Sequence, residues 1–459
     1  MPEKQLLAGA AATVITPNLG VSLCGAMTDR LADEIHDELH ARSLVLDNGE
    51  SKIALVVLDL IAAAKDWLAD IKHQVHSYTG IPLSNILISC TDTHSGPTTV
   101  PMFQSNVERD YLHWAGPRVA DSVRLAVRRL EPARIGWATT REDRLLFNRR
   151  YFMKPGTVLP APFPGEQERV KMNPEPGDPA IDRPAGPTDA EIGILWLQRV
   201  SGRFAGEPLA IYATYAMHYV DGMSPTAISA DYSGMVAETL RQGVQRISAA
   251  AEPPFVGMLA NGCFGDVNAV DVRQTRTAAP YGRMREVASK LASTILAASK
   301  EIQWREWVPL DVREKTMELG VRKPTPKEVE QAKEALVRAP QGPLRTLPEV
   351  YARETVQLAT WPDRFQTTLQ AMRIGNLAIC ALPGEPFCQL GLDIKARSPF
   401  TPTFIIGAAN DYAGYIPTEN QFALGGYETW RAKSSFLEVN AAARIEEAAV
   451  ELLSSLPGR

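Results

Sequence analysis

Seven short stretches of the chain are almost continuously apolar: 53–60 (IALVVLDL), 85–90 (NILISC), 192–197 (IGILWL), 209–217, 255–260, 377–382 and 404–409. Runs that are continuous rather than alternating predict strands covered on both faces. Between several of them apolar positions recur at helical spacing, over 62–78, 107–130, 232–250, 281–300 and 435–456. Strands interleaved with helices predict an α/β fold with a mixed or mainly parallel sheet flanked by helices. One large domain over 1–459 accommodates all of it.

Two stretches break the pattern. Residues 151–187 carry prolines and glycines at a density (KPGTVLPAPFPGEQE, NPEPGDPAIDRPAGP) that predicts a long irregular loop. Residues 323–352 are charged and begin KPTPKEVEQAKEAL, which predicts a solvated helix in a surface insertion.

Composition narrows the function classes. Hydrophobic residues make up 45% and charged residues 22%, enough for a large core without crosslinks. The net charge is -5 with basic residues scattered, so the electrostatic footprint of a nucleic-acid binder is missing. The five cysteines (Cys24, Cys90, Cys263, Cys380, Cys388) are odd in number and widely spaced, which predicts reduced thiols and a cytoplasmic setting. The first twenty residues lack the charged start and unbroken apolar core of a secretory signal, and no apolar run reaches the ~18 residues of a membrane span. A small-molecule substrate and no membrane anchor are expected; a homo-oligomer is left open.

The chemistry lies at the ends of the apolar runs. Asp59, Asp92 with His94, His218, Asp266 and Glu385 each follow one. In open α/β sheets ligands bind outside the carboxyl ends of the strands, so these groups should converge. Carboxylates and imidazoles together suit a divalent metal. Residues two apart in an extended chain point the same way, so Asp92 and His94 can reach one ion. Any one of these tips alone is as well explained as a turn former or helix cap. His73, His76 and His113 lie on helical polar faces and read as solvated.

Taken together, the segments resemble the catalytic domain of the neutral, non-lysosomal ceramidases and their shorter bacterial homologues. The matching segments, in order, are IHDELHARSLVLDNGESKIALVVLDL, TGIPLSNILISCTDTHSGP, FNRR, AMHYV, ISADYSG, NGCFGDVN, LPGEPF and NDYAGYIPTENQFALGGYE. The resemblance implies one zinc held by two histidines, a glutamate and a tyrosine. The first histidine falls on Asp92, a departure, with the neighbouring substrate-side histidine on His94; the others fall on His218, Glu385 and Tyr415. Either Asp92 replaces the imidazole or His94 takes the metal itself. Tyr427 matches a second active-site tyrosine and Arg149 a substrate-contacting arginine. His36, Asp37 and Arg42 match a charged segment expected to line the same cleft. A cysteine-containing insertion that follows the Asp266 segment in ceramidases is missing, and the chain ends without their C-terminal immunoglobulin-like domain, which points away from ceramide itself.

What the resemblance implies is a metal-dependent hydrolase that cleaves an amide or ester bond of a small or moderately polar substrate with metal-activated water, zinc being the first choice of ion. His94 and Tyr427 are the expected proton-transfer and oxyanion groups, Arg149 a substrate anchor, and Asp59, Asp231 and Asp266 orienting groups. Two rivals remain at this stage. One is a lactone or cyclic-amide hydrolase, or an isomerase, on the same scaffold; the other is a non-catalytic metal- or carbohydrate-binding homologue.

Overall fold

All seven continuous apolar runs form strands in the computed structural model, which describes residues 4–163, 165, 168–220, 224–249, 254–275 and 279–457. An eight-stranded sheet runs in the order Val256–Asn261, Pro208–Tyr215, Glu191–Arg199, Glu131–Arg141, Leu7–Val14, His40–Asp47, Lys52–Leu58 and Ile86–Cys90. Only its two outermost pairings are parallel; the inner ones are antiparallel. The sheet is therefore mixed, as expected, but mainly antiparallel rather than mainly parallel. A second sheet orders Leu310–Gly320, Arg364–Ile374, Leu377–Ala381 and Thr403–Ile406, again with one parallel pair at its end.

The layering hides strand direction from apolar continuity. Alternate residues of Lys52–Leu58 enter different cores. Ala54, Val56 and Leu58 pack under the helices, whereas Ile53, Leu55 and Val57 pack against the second sheet with Leu377, Ile379 and Phe404. The second sheet is in turn covered by the helices Cys388–Arg397 and Ala441–Ser454. Four layers, helix, sheet, sheet and helix, bury both faces of each sheet. An antiparallel strand covered on both faces loses the polar alternation that usually marks it.

The helices Lys65–Thr79, Arg109–Arg128, Asp231–Ile247, Gly282–Ala297 and Ala441–Ser454 match the five predicted ones within a few residues, except that the last begins six residues late; Ala250 lies outside the described residues. The strands His40–Asp47, Glu131–Arg141, Leu310–Gly320 and Arg364–Ile374 were not predicted, and neither was Leu7–Val14 (LAGAAATV). Its small residues let the helix Arg109–Arg128 approach so closely that a Cβ on Gly9 would lie 2.1 Å from the Ala126 carbonyl oxygen. The 151–187 stretch is not wholly irregular: Arg150–Met153, Val170–Met172 and Ile181–Pro184 form a three-stranded sheet.

The 323–352 expectation holds only in its first half. Pro326–Arg338 is a solvated helix that buries Ala332 alone, capped reciprocally by Thr325 and Glu328. Leu347–Ala359 instead buries Val350, Tyr351, Glu354 and Leu358. No helix among the described residues is long and apolar enough to cross a membrane, and all five cysteines are buried free thiols.

Candidate metal centre

The site lies where strand ends from the two sheets are tied together. Cys90 N donates to Ala408 O at 3.1 Å and Asn410 N to Ile88 O at 2.8 Å, so the end of Ile86–Cys90 is stitched to the segment after Thr403–Ile406. Gly407 N reaches Asn261 O at 2.9 Å and Ala408 N reaches Gly384 O at 2.7 Å, which brings in two more strand ends. Glu385 and Tyr415 are direct partners in a short parallel pair, so the two side chains start from adjacent backbone.

Asp92, His94 and His218 offer ligand atoms within 4.8 Å of one another. Asp92 stands at φ +65°, a left-handed conformation that Asp tolerates better than most residues. That turn aims its carboxylate between the two imidazoles: Oδ2 accepts from His218 Nδ1 at 2.5 Å, and Oδ1 lies 3.4 Å from His94 Nε2. His94 Nδ1 is 3.0 Å from the Gly25 carbonyl oxygen. A carbonyl can only accept, so this bond assigns the His94 proton to Nδ1 and leaves Nε2 with a lone pair. Gly25, at φ +101°, is required there, because a Cβ would meet the His94 ring at 2.4 Å. Tyr219 stacks on that ring, centroids 3.6 Å apart.

The same argument applied to His218 gives the deciding geometry. With Nδ1–H given to Asp92, its Nε2 carries a lone pair and is buried without a hydrogen-bond partner. Glu385 Oε2, also buried and unpartnered, lies 3.5 Å away. Two acceptors without a proton between them repel, yet two bonds of ~2.1 Å meeting at a tetrahedral ion span about 3.4 Å. The pair therefore fits a cation. Burial and then Arg149 push His218 down to about 4, so it is neutral and able to ligate at neutral pH. Burial and then Asp92 push Glu385 up to about 8, and Arg149, Tyr415 and Tyr412 oppose them only in part. Burial opposes the charge on Asp92, but His218 and His94 outweigh it and hold its carboxyl low.

Around the donors, Arg149 is buried, donates Nε to Glu428 Oε1 at 2.7 Å, and leaves Nη2 without a hydrogen bond. Its Cζ lies 5.3 Å from the centre of the Tyr415 ring, and Tyr427 lies 5.7 Å from Tyr415. Asp266 buttresses this wall, accepting from Cys388 N at 2.7 Å and Asn148 Nδ2 at 2.9 Å while its carbonyl takes Arg149 N at 2.8 Å. Asp231, at the start of its helix, accepts Val220 N at 3.2 Å and so secures the loop that carries His218.

Three predicted residues fall elsewhere. Asp59 pairs with Arg42 Nη1 at 2.6 Å and reaches none of the donors. Arg42 instead faces a cavity of about 540 Å³ lined also by Asp37, Glu38 and His40, and by none of the donors. His36 stacks on Tyr281 at 3.6 Å and bonds Asp37. The expectation that His36 and Arg42 line the same cleft as the metal donors is thus corrected: Arg42 lines a separate cavity with Gly234, Glu238 and Arg285, and His36 packs on Tyr281. His73 and His113 are exposed, as read from sequence, and His76, also exposed, bonds Ile81 O at 2.9 Å.

Sequence reasoning missed three residues. Tyr412 donates to Glu385 Oε1 at 3.2 Å and so leaves Oε2 to face His218. Glu428, fully buried, holds Arg149 through Oε1 and Arg150 through Oε2, the latter at 2.5 Å. Tyr219 stacks on His94. Tyr412, Glu428 and Tyr219 lie within segments quoted above for the family resemblance, NDYAGY, GGYE and AMHYV, which were the available signal.

With fold and geometry in place, the chain can be set beside known proteins. No family model matches the sequence, and no curated protein matches it. Among solved structures, neutral ceramidase from Pseudomonas aeruginosa superposes with a TM-score of 0.71 at 16% identity, covering 99% of this chain and 75% of that one. The chain has the neutral ceramidase fold. A structure described as ceramidase complexed with C2 gives the same TM-score at 17% identity and the same coverage. The fold and the order of segments that resemble the family thus agree.

Proposed function

We propose that the protein is a metal-dependent hydrolase that cleaves an amide or ester bond in a small or moderately polar substrate, with zinc as the first candidate ion. The observation that carries this reading is the pair of buried, unpartnered acceptors, His218 Nε2 and Glu385 Oε2, 3.5 Å apart. Tyr415, strand partner of Glu385, would complete the set. Asp92 is better supported as the group that orients His218 than as a ligand, since one of its oxygens is already committed to His218 Nδ1.

A divalent ion, when bound, supplies Lewis acidity toward a carbonyl and toward water near neutral pH. The chain's own residues supply the rest. His94 presents Nε2 at the mouth, where its side chain is 16% exposed and Asp92 Oδ1 is 3.4 Å away to steady an arriving proton. Tyr427 and Arg149 Nη2 are placed to donate to negative charge that develops on a substrate oxygen, or to hold a substrate carboxylate. The ceramidase fold and the amide-cleaving relatives that share it favour hydrolysis over isomerisation or simple binding. Five buried thiols support a reducing, cytoplasmic setting.

The test is metal analysis of purified protein together with a panel of soluble N-acyl amides and esters. About one divalent ion per chain and chelator-sensitive hydrolysis of at least one panel member are expected. Metal-free protein that retains full hydrolytic activity would overturn the proposal.

A further inference from the structure

The aromatic side chains beside the donors form a row that ends in a ring held under constraint. Tyr415 lies 6.2 Å from His218, Tyr427 lies 5.7 Å from Tyr415, and Phe103 lies 6.4 Å from Tyr427 with ring planes 27° apart. Phe103 is 2% exposed and stands at φ +43°, where a bulky residue goes only when its surroundings impose it.

Those surroundings come from the buried half of the segment that looked like surface decoration. The Phe103 carbonyl accepts from the Arg353 guanidinium and, at 3.3 Å, from Lys433 Nζ. Glu354, fully buried, takes the Lys433 backbone N–H at 3.0 Å and lies 3.5 Å from its ammonium. One residue along, Gln104 bonds Leu344 in both directions, Nε2 to O at 2.9 Å and Oε1 from N at 2.8 Å. The ring also packs in a buried apolar cluster with Met102, Tyr351, Tyr412 and Trp430, so backbone bonds and packing together fix it one ring away from Tyr415.

We propose that Phe103 is a specificity-determining residue: its ring, held against Tyr427 by segment 339–359, closes the apolar end of the substrate space and limits any alkyl chain next to the scissile bond to a few carbons. This rests on the hydrolase reading. The chain can belong to the acyl or to the amine side of the substrate; the chemistry recognised is the same.

Phe103→Ala and Phe103→Leu remove the ring, and Arg353→Gln loosens the carbonyl without touching it. Thermal unfolding establishes that each variant is folded. Two readouts are taken: kcat/KM for p-nitrophenyl esters from acetyl to decanoyl, and calorimetric binding of n-alkanoates and n-alkylamines over the same lengths. Each methylene that gains a buried place is worth roughly fourfold, so the decanoyl-to-acetyl ratio should rise at least about 10-fold in Phe103→Ala, with a smaller rise in Arg353→Gln. Decanoate rather than decylamine binding more tightly in the variant assigns the wall to the acyl side, and the converse assigns it to the amine side. If the wild type hydrolyses the short esters but the ratio stays within about twofold in every folded variant, the proposal is overturned while the hydrolase reading stands. If no ester is cleaved, yet binding of a long-chain ligand rises in the variant, the hydrolase reading falls and the wall stands. Neither activity nor any chain-length change in binding would remove both.

Discussion

Asp59 and Asp92 follow neighbouring parallel strands, both are buried, and they meet their charge in different ways. Asp59 receives a guanidinium, Arg42 Nη1 at 2.6 Å, from an adjacent strand. Asp92 receives only imidazoles, and the far nitrogen of one of them faces a second buried carboxylate, Glu385, at 3.5 Å. The first carboxylate has its cation built into the chain. The second heads a cluster of acceptors that could hold a cation. A buried ion pair with its own partner is a structural feature, whereas a buried acceptor pair without one marks a ligand site.

That contrast can be broken in four places. The largest effect is expected from Glu385→Gln or His218→Ala, each of which removes one of the unpartnered acceptors: bound metal should be lost and kcat/KM should fall at least about 1000-fold, more than the ~10–100-fold of an orienting group. Metal content measured alongside turnover checks this, and a Glu385→Gln protein with full metal and full rate would erase the distinction between the two carboxylates. Next comes Arg42→Met, which strands the Asp59 charge and should cost about 3–5 kcal/mol of stability in denaturant unfolding while metal content is unchanged. Loss of metal in that variant would instead link the two sites.

Asp266 is a third buried carboxylate, served only by neutral donors, and it sharpens the comparison through pH. Burial pushes it up from 3.8 to about 6. A carboxyl raised in the folded state contributes stability that is fully present below about pH 3.8 and lost as the pH rises through about 6. Asp266→Asn removes that titration, so the stability of the variant relative to wild type should improve between about pH 4 and 7 by up to ~3 kcal/mol. A pH-independent difference would show that Asp266 does not titrate in this range. The smallest effect is expected for Asp92→Asn, in which the side-chain oxygen can still accept from His218 Nδ1: metal affinity should drop ~10–100-fold with the fold retained. Complete metal loss would make Asp92 a ligand, one of the two alternatives the family resemblance leaves open.

The two helices of the 323–359 region show how far local signals reach. Both begin with a Thr-x-x-Glu capping box and a proline, at Thr325 and Thr346. Those residues announce a helix start in either case. Only the second helix has an apolar face rich enough, with Val350, Tyr351 and Leu358, to dock, and which loops it docks on is invisible in its own residues. The clamp on Phe103 was therefore illegible, although each of its members is plain in the chain. The same holds for the strands: their existence was readable from apolar continuity, but their direction was not, because a sheet covered on both faces erases the alternation that separates antiparallel from parallel.

By itself the sequence determined seven of the strands, five of the helices, the reduced state of the cysteines, and the set of polar strand ends from which the centre is drawn, since each follows from residue type and short-range spacing. It also supplied the family resemblance with which the fold agrees. Only the tertiary structure decided which of those ends meet. Asp59 and Asp92 are equivalent in the chain, each a carboxylate after an apolar run; an adjacent strand gives one of them Arg42, and a loop after a distant strand gives the other His218. Hydrogen bonds donated to Asp92 and to the Gly25 carbonyl then choose the imidazole nitrogens that keep a lone pair, and Tyr412 chooses the free oxygen of Glu385. Such choices depend on distances of a few ångströms between residues tens to hundreds of positions apart, and a linear pattern holds no record of them.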